Sequence, residues 1–178
     1  MTSASERPAA GTTWPAYAAF WVALVYAVVS FYWAFGGTVG VDTLGGRLEE
    51  LAREGDPAVL WLSGVAGVLK VAGAVVALAL VRPWGRVVPR RLLLVVAWGG
   101  AVVLVAYGGL YVVGGALALA GVVEGAGAED RVALWWRVLV WDLWFLAWGV
   151  LLGLAARSFG RGLSAADPRA AGGLRGGG

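Results

Sequence analysis

The chain has 178 residues, 60% of them hydrophobic and 14% charged, with a formal net charge of +3. A soluble domain carries about 25% charged residues, so this composition excludes a water-soluble globule and points to a polytopic membrane protein. Cysteine and histidine are both absent. That excludes a disulfide framework, thiol redox chemistry, zinc proteases, di-iron desaturases and histidine-ligated cytochromes as single-chain readings. No cofactor is expected, and without a lysine-rich patch no nucleic acid is expected either.

In chain order, residues 1–13 are small and polar and predict a disordered tail. The first span runs from about Trp14 to Phe35 and is ended by Gly36-Gly37. It is too long for a signal core and is read as a retained helix. The loop from Gly37 to Asp56 places Leu44, Leu48 and Leu51 at helical spacing among charged residues. That pattern predicts a short interfacial helix over about Leu44 to Arg53, or a helical turn packed on the bundle mouth. The second span covers Pro57 to Val81, with Asp56 as N-cap and Pro57 in the first turn. The third covers Leu92 to Ala120, with a bend or an exit from lipid expected at Gly114-Gly115. The fourth covers Val132 to Ala156, and residues 158–178 predict a second disordered tail.

Arginine placement sets the expected orientation. Arg82, Arg86, Arg90 and Arg91 share one connector with no acid, and Arg157, Arg161, Arg169 and Arg175 follow the last span. The other two connectors are acidic. The positive-inside rule puts both arginine-rich segments, and both termini, in the cytoplasm. The expected fold class is an all-α integral membrane protein, a four-helix transmembrane bundle with a short interfacial helix in the first external loop. The transmembrane domain covers residues 14–157.

Three ionisable residues fall inside the spans: Lys70, Arg137 and Asp142. Each costs at least ~2.5 kcal/mol near a helix centre, so each should face the bundle or water. Lys70 and Asp142 both lie roughly 15–20 Å from the outer face at about 1.5 Å per residue. At matched depth on parallel helices, they are expected to meet, directly or through one water. Around Lys70, Ser63, Ala66, Gly67, Gly73, Ala74 and Ala77 make a small-residue face that admits a neighbouring helix. Arg137, nearer the span end, is expected to snorkel or to meet Glu124, Glu129 or Asp130.

Eleven tryptophans are present. Trp14, Trp61, Trp84 and Trp135 or Trp136 fit interfacial anchors. Trp141, Trp144 and Trp148 fall on one stripe with Phe145. Buried indole N–H groups seek acceptors, so an aromatic pocket beside Asp142 suits an amphipathic ligand. In the third span, Ala101, Gly108 and Gly115 form a packing face at heptad spacing.

Several elements together resemble a known family. They are Ser30 to Thr38, the lysine of the second span, Trp98-Gly99-Gly100, Tyr107-Gly108-Gly109, and Trp136 to Trp144. The chain is similar over about residues 14–160 to small bacterial four-helix membrane proteins of the domain of unknown function 3995 family. The resemblance implies a multi-pass protein of a bacterial plasma (cytoplasmic) membrane and no assigned chemistry. The family pattern places a proline after the helix-four acid, where this chain has Leu143, which implies a straighter helix here.

Three functions fit these residues. The first is binding of a hydrophobic or amphipathic small molecule or lipid in a Trp-lined pocket, with proton transfer as an added option. Its candidate residues are Lys70, Asp142, Trp141, Trp144, Tyr107 and Trp33. The second is a small transporter or channel subunit using the intramembrane charges. The third is a structural or accessory subunit. Expected partners are membrane lipid and a hydrophobic small molecule, with a homo-oligomer left open.

Overall fold

The computed structural model describes residues 12–122 and 131–164, and among these residues it is helical throughout, without a strand. Helix α1, Trp14–Ala34, starts with a proline in its first turn and ends where Gly36 takes φ +83°. A 3-10 turn at Val41–Thr43 and helix α2, Gly46–Glu54, occupy the following loop. Helix α3, Pro57–Ala79, is capped as its sequence predicts: Asp56 Oδ1 accepts from the N–H of Ala58 at 2.9 Å and of Val59 at 3.2 Å. The arginine connector forms a 3-10 turn, Pro83–Val87.

Helix α4, Arg90–Leu119, then runs 30 residues. At about 1.5 Å per residue it exceeds the ~30 Å hydrocarbon core. It continues through Gly114-Gly115 as one helix. The last crossing is compound. Helix α5, Arg131–Trp136, passes through a π-helical turn, Arg137–Asp142, into helix α6, Leu143–Ser164. The N–H of Leu143 bonds the Val138 carbonyl, five residues back. The helix thus widens just before Leu143, without a proline. Helix α6 also continues to Ser164, into the segment read as tail. Residues 1–11, 123–130 and 165–178 lie outside the described residues, and with them most of both expected tails and the acids Glu124, Glu129 and Asp130.

Four helices are long and apolar enough to cross a membrane: Trp14–Ala34, Pro57–Ala79, Arg90–Leu119 and Leu134–Arg161. Their outward faces carry large apolar side chains such as Trp21, Leu62, Leu69, Val102 and Leu110, all exposed. That surface suits hydrocarbon and not water.

The packing order decides which side chains meet. α1 packs most extensively on α3, α4 packs on α6, and α1 against α6 joins the two pairs. α3 and α4 barely touch, which leaves a groove between them. α3 and α6 thus lie across the bundle, bridged by the Trp148 ring over Gly73. Lipid offers apolar helices no hydrophobic drive to associate, so close backbone approach has to hold them. Ala16, Ala19, Ala23 and Ala27 of α1 are buried, as are Ala74 and Ala77 of α3. Between α4 and α6 the approach is closer still. A Cβ on Gly108 would lie 2.6 Å from the Leu146 nitrogen and 2.9 Å from the Asp142 carbonyl oxygen.

Candidate functional site

Tyr26, Ser30 and Trp33 follow one another at four and three residues, so they share one face of α1. That face looks into the loop end of the bundle. Tyr26 packs against Trp141, Trp144 and Phe145, with ring centroids 5.6, 5.8 and 4.9 Å away. Trp33 lies 5.2 Å from Trp141. From α4, Tyr107 meets Phe145 at 5.1 Å and Tyr111 at 4.6 Å.

Five of these rings, Tyr26, Trp33, Tyr107, Trp141 and Phe145, line a cavity of about 480 Å³. Tyr26 and Trp33 line it from α1, Tyr107 from α4, and Phe145 from α6. Arg137, Trp141 and Asp142 line it from the π turn. Leu44, Arg47 and Leu48 close its outer end, so the leucines of the predicted loop helix roof a cavity. The roof is tied down by the Trp141 indole N–H, which donates to Thr43 Oγ1 at 2.9 Å. The Trp33 indole N–H donates to the Val39 carbonyl at 3.0 Å.

The π turn shapes this site. In an α-helix, residues five apart point about 140° away from one another. An i→i+5 turn brings them towards one side, and here Arg137 and Asp142 both line the cavity. Gly108 lets α4 pass directly over this widened turn. Asp142 is 5% exposed, and among the described residues its carboxylate has no hydrogen-bond or ion-pair partner. Its oxygens are not sealed in the protein; they face the cavity. Arg137, Tyr26 and Tyr107 line the same cavity as Asp142. The Arg137 guanidinium lies 5.6 Å from the Tyr111 ring centroid. Arg47 pairs with Glu50 at 3.0 Å on the exposed side of α2.

Of the six residues singled out from the sequence, Trp33, Tyr107, Trp141 and Asp142 line this cavity. Trp144 and Lys70 do not. Trp144 donates its indole N–H to the Val22 carbonyl at 3.0 Å, fastening α6 to α1. Lys70, 8% exposed, donates to Ser30 Oγ at 2.7 Å and lies 4.1 Å from the Tyr26 ring centroid. The direct Lys70–Asp142 pair is corrected: among the described residues no ion pair or hydrogen bond joins them. α1 supplies the hydrogen-bond partner of Lys70, and α6 approaches its ammonium through the Phe145 ring, 5.7 Å away at the centroid, not through Asp142. Tyr26 and Ser30 were not among the candidate site residues, Ser30 entering only through the Ser30–Thr38 element. Their shared spacing with Trp33 was the available signal.

A second space of about 420 Å³ lies in the gap between α3 and α4. Its walls are almost wholly apolar, with Leu69 and Val76 on one side, Val103 and Leu104 on the other, and Trp148 and Phe145 at its floor. Phe145 borders both spaces. Among the described residues no three His, Cys, Asp or Glu side chains are grouped to hold a metal ion.

A family model described as a protein of unknown function (DUF3995) matches residues 23–152. The chain belongs to the DUF3995 family. The matched region begins within α1 and ends within α6, so it takes in the whole lined cavity. No curated protein and no solved structure matches the chain.

Proposed function

We propose that this DUF3995 protein binds a single-chain amphiphile drawn from the bilayer. The polar head occupies the loop-end cavity between Asp142 and Arg137, and the chain follows the α3–α4 groove. The observation that carries this reading is the Asp142 carboxylate, buried and unpartnered among the described residues, and turned into a cavity walled by aromatic rings. A charge at that depth costs several kcal/mol unless something meets it, and a head that donates hydrogen bonds or carries a cation does so. The groove supports the other half. From Ala66 to Val76 it extends about 15 Å along α3 at 1.5 Å per residue, which is half of the ~30 Å hydrocarbon core.

The test uses oleylamine and oleyl alcohol as probes, titrated into the protein in a maltoside detergent and read by native mass spectrometry. Both probes should bind one per chain. Asp142→Asn should weaken the amine more than the alcohol, and Ala66→Phe, which narrows the groove, should weaken both. Binding indifferent to both substitutions would defeat the proposal.

A further inference from the structure

At the opposite end of the bundle, the connector between α3 and α4 folds over a third space of about 530 Å³. Arg82, Arg86 and Arg90 line it, together with Phe159 from α6. Gly85 makes this fold possible: a Cβ there would collide with the Ala79 carbonyl, so the connector lies directly against the end of α3. Two of the arginines are placed by rings from other helices. Arg82 lies 5.6 Å from the Tyr17 ring centroid and Arg90 lies 5.8 Å from that of Phe159. Among the described residues, none of the three has an acidic partner; both ion pairs there belong to α2. Arg90 also opens α4, whose N-cap is Pro89 and provides no side-chain acceptor. The first N–H groups of α4 therefore stand at the same end.

We infer that this space is a binding site for a phosphate-bearing anion, and specifically for the headgroup of an anionic phospholipid. Three exposed arginines lining one space, without an acidic partner among the described residues, call for a group with several acceptor oxygens, and guanidinium pairs with phosphate in bidentate geometry. The lipid source follows from position. The pocket sits where α3 ends and α4 begins, at the level where a span leaves the hydrocarbon. Basic pockets at that level accept lipid headgroups, and Phe159, Leu80 and Val81 give this one an apolar wall. The site lies at the other end of the spans from the Asp142 cavity and does not depend on the amphiphile reading.

The experiment measures binding of dioleoyl phosphatidylglycerol and dioleoyl phosphatidylcholine to the full chain in a maltoside detergent. Phosphatidylglycerol should bind about tenfold tighter or better. That advantage should shrink in about 1 M salt, where the screening length falls to about 3 Å. The triple variant Arg82→Gln, Arg86→Gln, Arg90→Gln should lose the advantage, whereas Arg91→Gln and Arg157→Gln, outside the pocket, should keep it. Arg86→Gln alone should lose part of it, and Arg86→Lys should recover part, which keeps the test decisive if the triple variant does not fold. Inorganic phosphate added alone separates the two sources. Poor competition supports the lipid headgroup, and strong competition keeps the phosphate site but overturns the lipid assignment. Equal loss in the pocket and control variants, or an advantage that survives Arg86→Gln undiminished, overturns the site itself.

Discussion

The Lys70 ammonium lies 4.1 Å from the centroid of the Tyr26 ring and donates to Ser30 Oγ at 2.7 Å. One face of α1 thus serves a charge that α3 carries into the membrane, through a cation–π contact and a hydrogen bond. Ser30→Ala should leave a lysine N–H without a partner and cost about 1–3 kcal/mol. In the Lys70→Met background the same serine substitution should cost far less, because the donor is gone. Lys70→Met and Asp142→Asn should combine with a coupling below about 0.5 kcal/mol. Reversible unfolding in detergent measures all of these, and a large Lys70–Asp142 coupling would contradict the packing order.

Asp142 behaves differently from a paired charge. Removing one member of a buried ion pair costs roughly 3–5 kcal/mol, but Asp142 has no such partner among the described residues. Asp142→Leu should therefore leave stability unchanged or raise it, by up to about 2.5 kcal/mol. The same substitution should weaken oleylamine binding more than oleyl alcohol binding. A fall in the thermal midpoint without added ligand would reveal a partner that the carboxylate does not have here.

Adjacent glycines in α4 give a paired test of helix approach. Gly108 faces the α6 backbone, whereas a Cβ on Gly109 meets nothing within 4 Å. Gly108→Ala should cost about 1–3 kcal/mol, since backbone atoms cannot step aside. Gly109→Ala should be neutral or gain about 0.5–1 kcal/mol from reduced backbone freedom. Equal effects at the two positions would mean that α4 and α6 are not held by this close approach.

With four candidate spans, the positive-inside rule predicts that the Arg82–Arg91 connector lies on the cytoplasmic side and the Gly37–Asp56 loop on the other. A cysteine at Glu54 should react with a membrane-impermeant thiol reagent added to intact cells. One at Arg86 should react only after permeabilisation. The reverse pattern would invert the assignment.

The spans, the Asp56–Pro57 start of α3 and the glycine stop of α1 were legible because hydropathy and capping are local properties. The partners of Lys70 were not. Which two helices become neighbours depends on how four similar small-residue faces sort, and depth along a helix carries no information on that. The π turn was equally hidden. Residues 137–142 contain neither proline nor glycine, and the glycine that accommodates the turn lies on another helix, at Gly108. Four of the six candidate site residues nonetheless met in one cavity, since aromatic and charged side chains in an apolar span have few other places to go.

The π turn should be removable. Leu139 is 54% exposed on the outer side of the turn, so deleting it discards a lipid-facing side chain and shortens an i→i+5 turn towards i→i+4. α6 is fixed by its packing on α4 and α1, so the segment before the deletion has to move. One residue corresponds to about 100° of rotation and about 1.5 Å of translation. Arg137 should then swing out of the cavity while Asp142 stays. The chain has no native cysteine, so single cysteines report cleanly. With the turn intact, cysteines at positions 137 and 142 should both react with a small water-soluble thiol reagent. After deletion of Leu139, labelling at position 137 should fall severalfold and labelling at 142 should persist. Unchanged labelling at 137 would show that the widened turn does not aim Arg137 into the cavity.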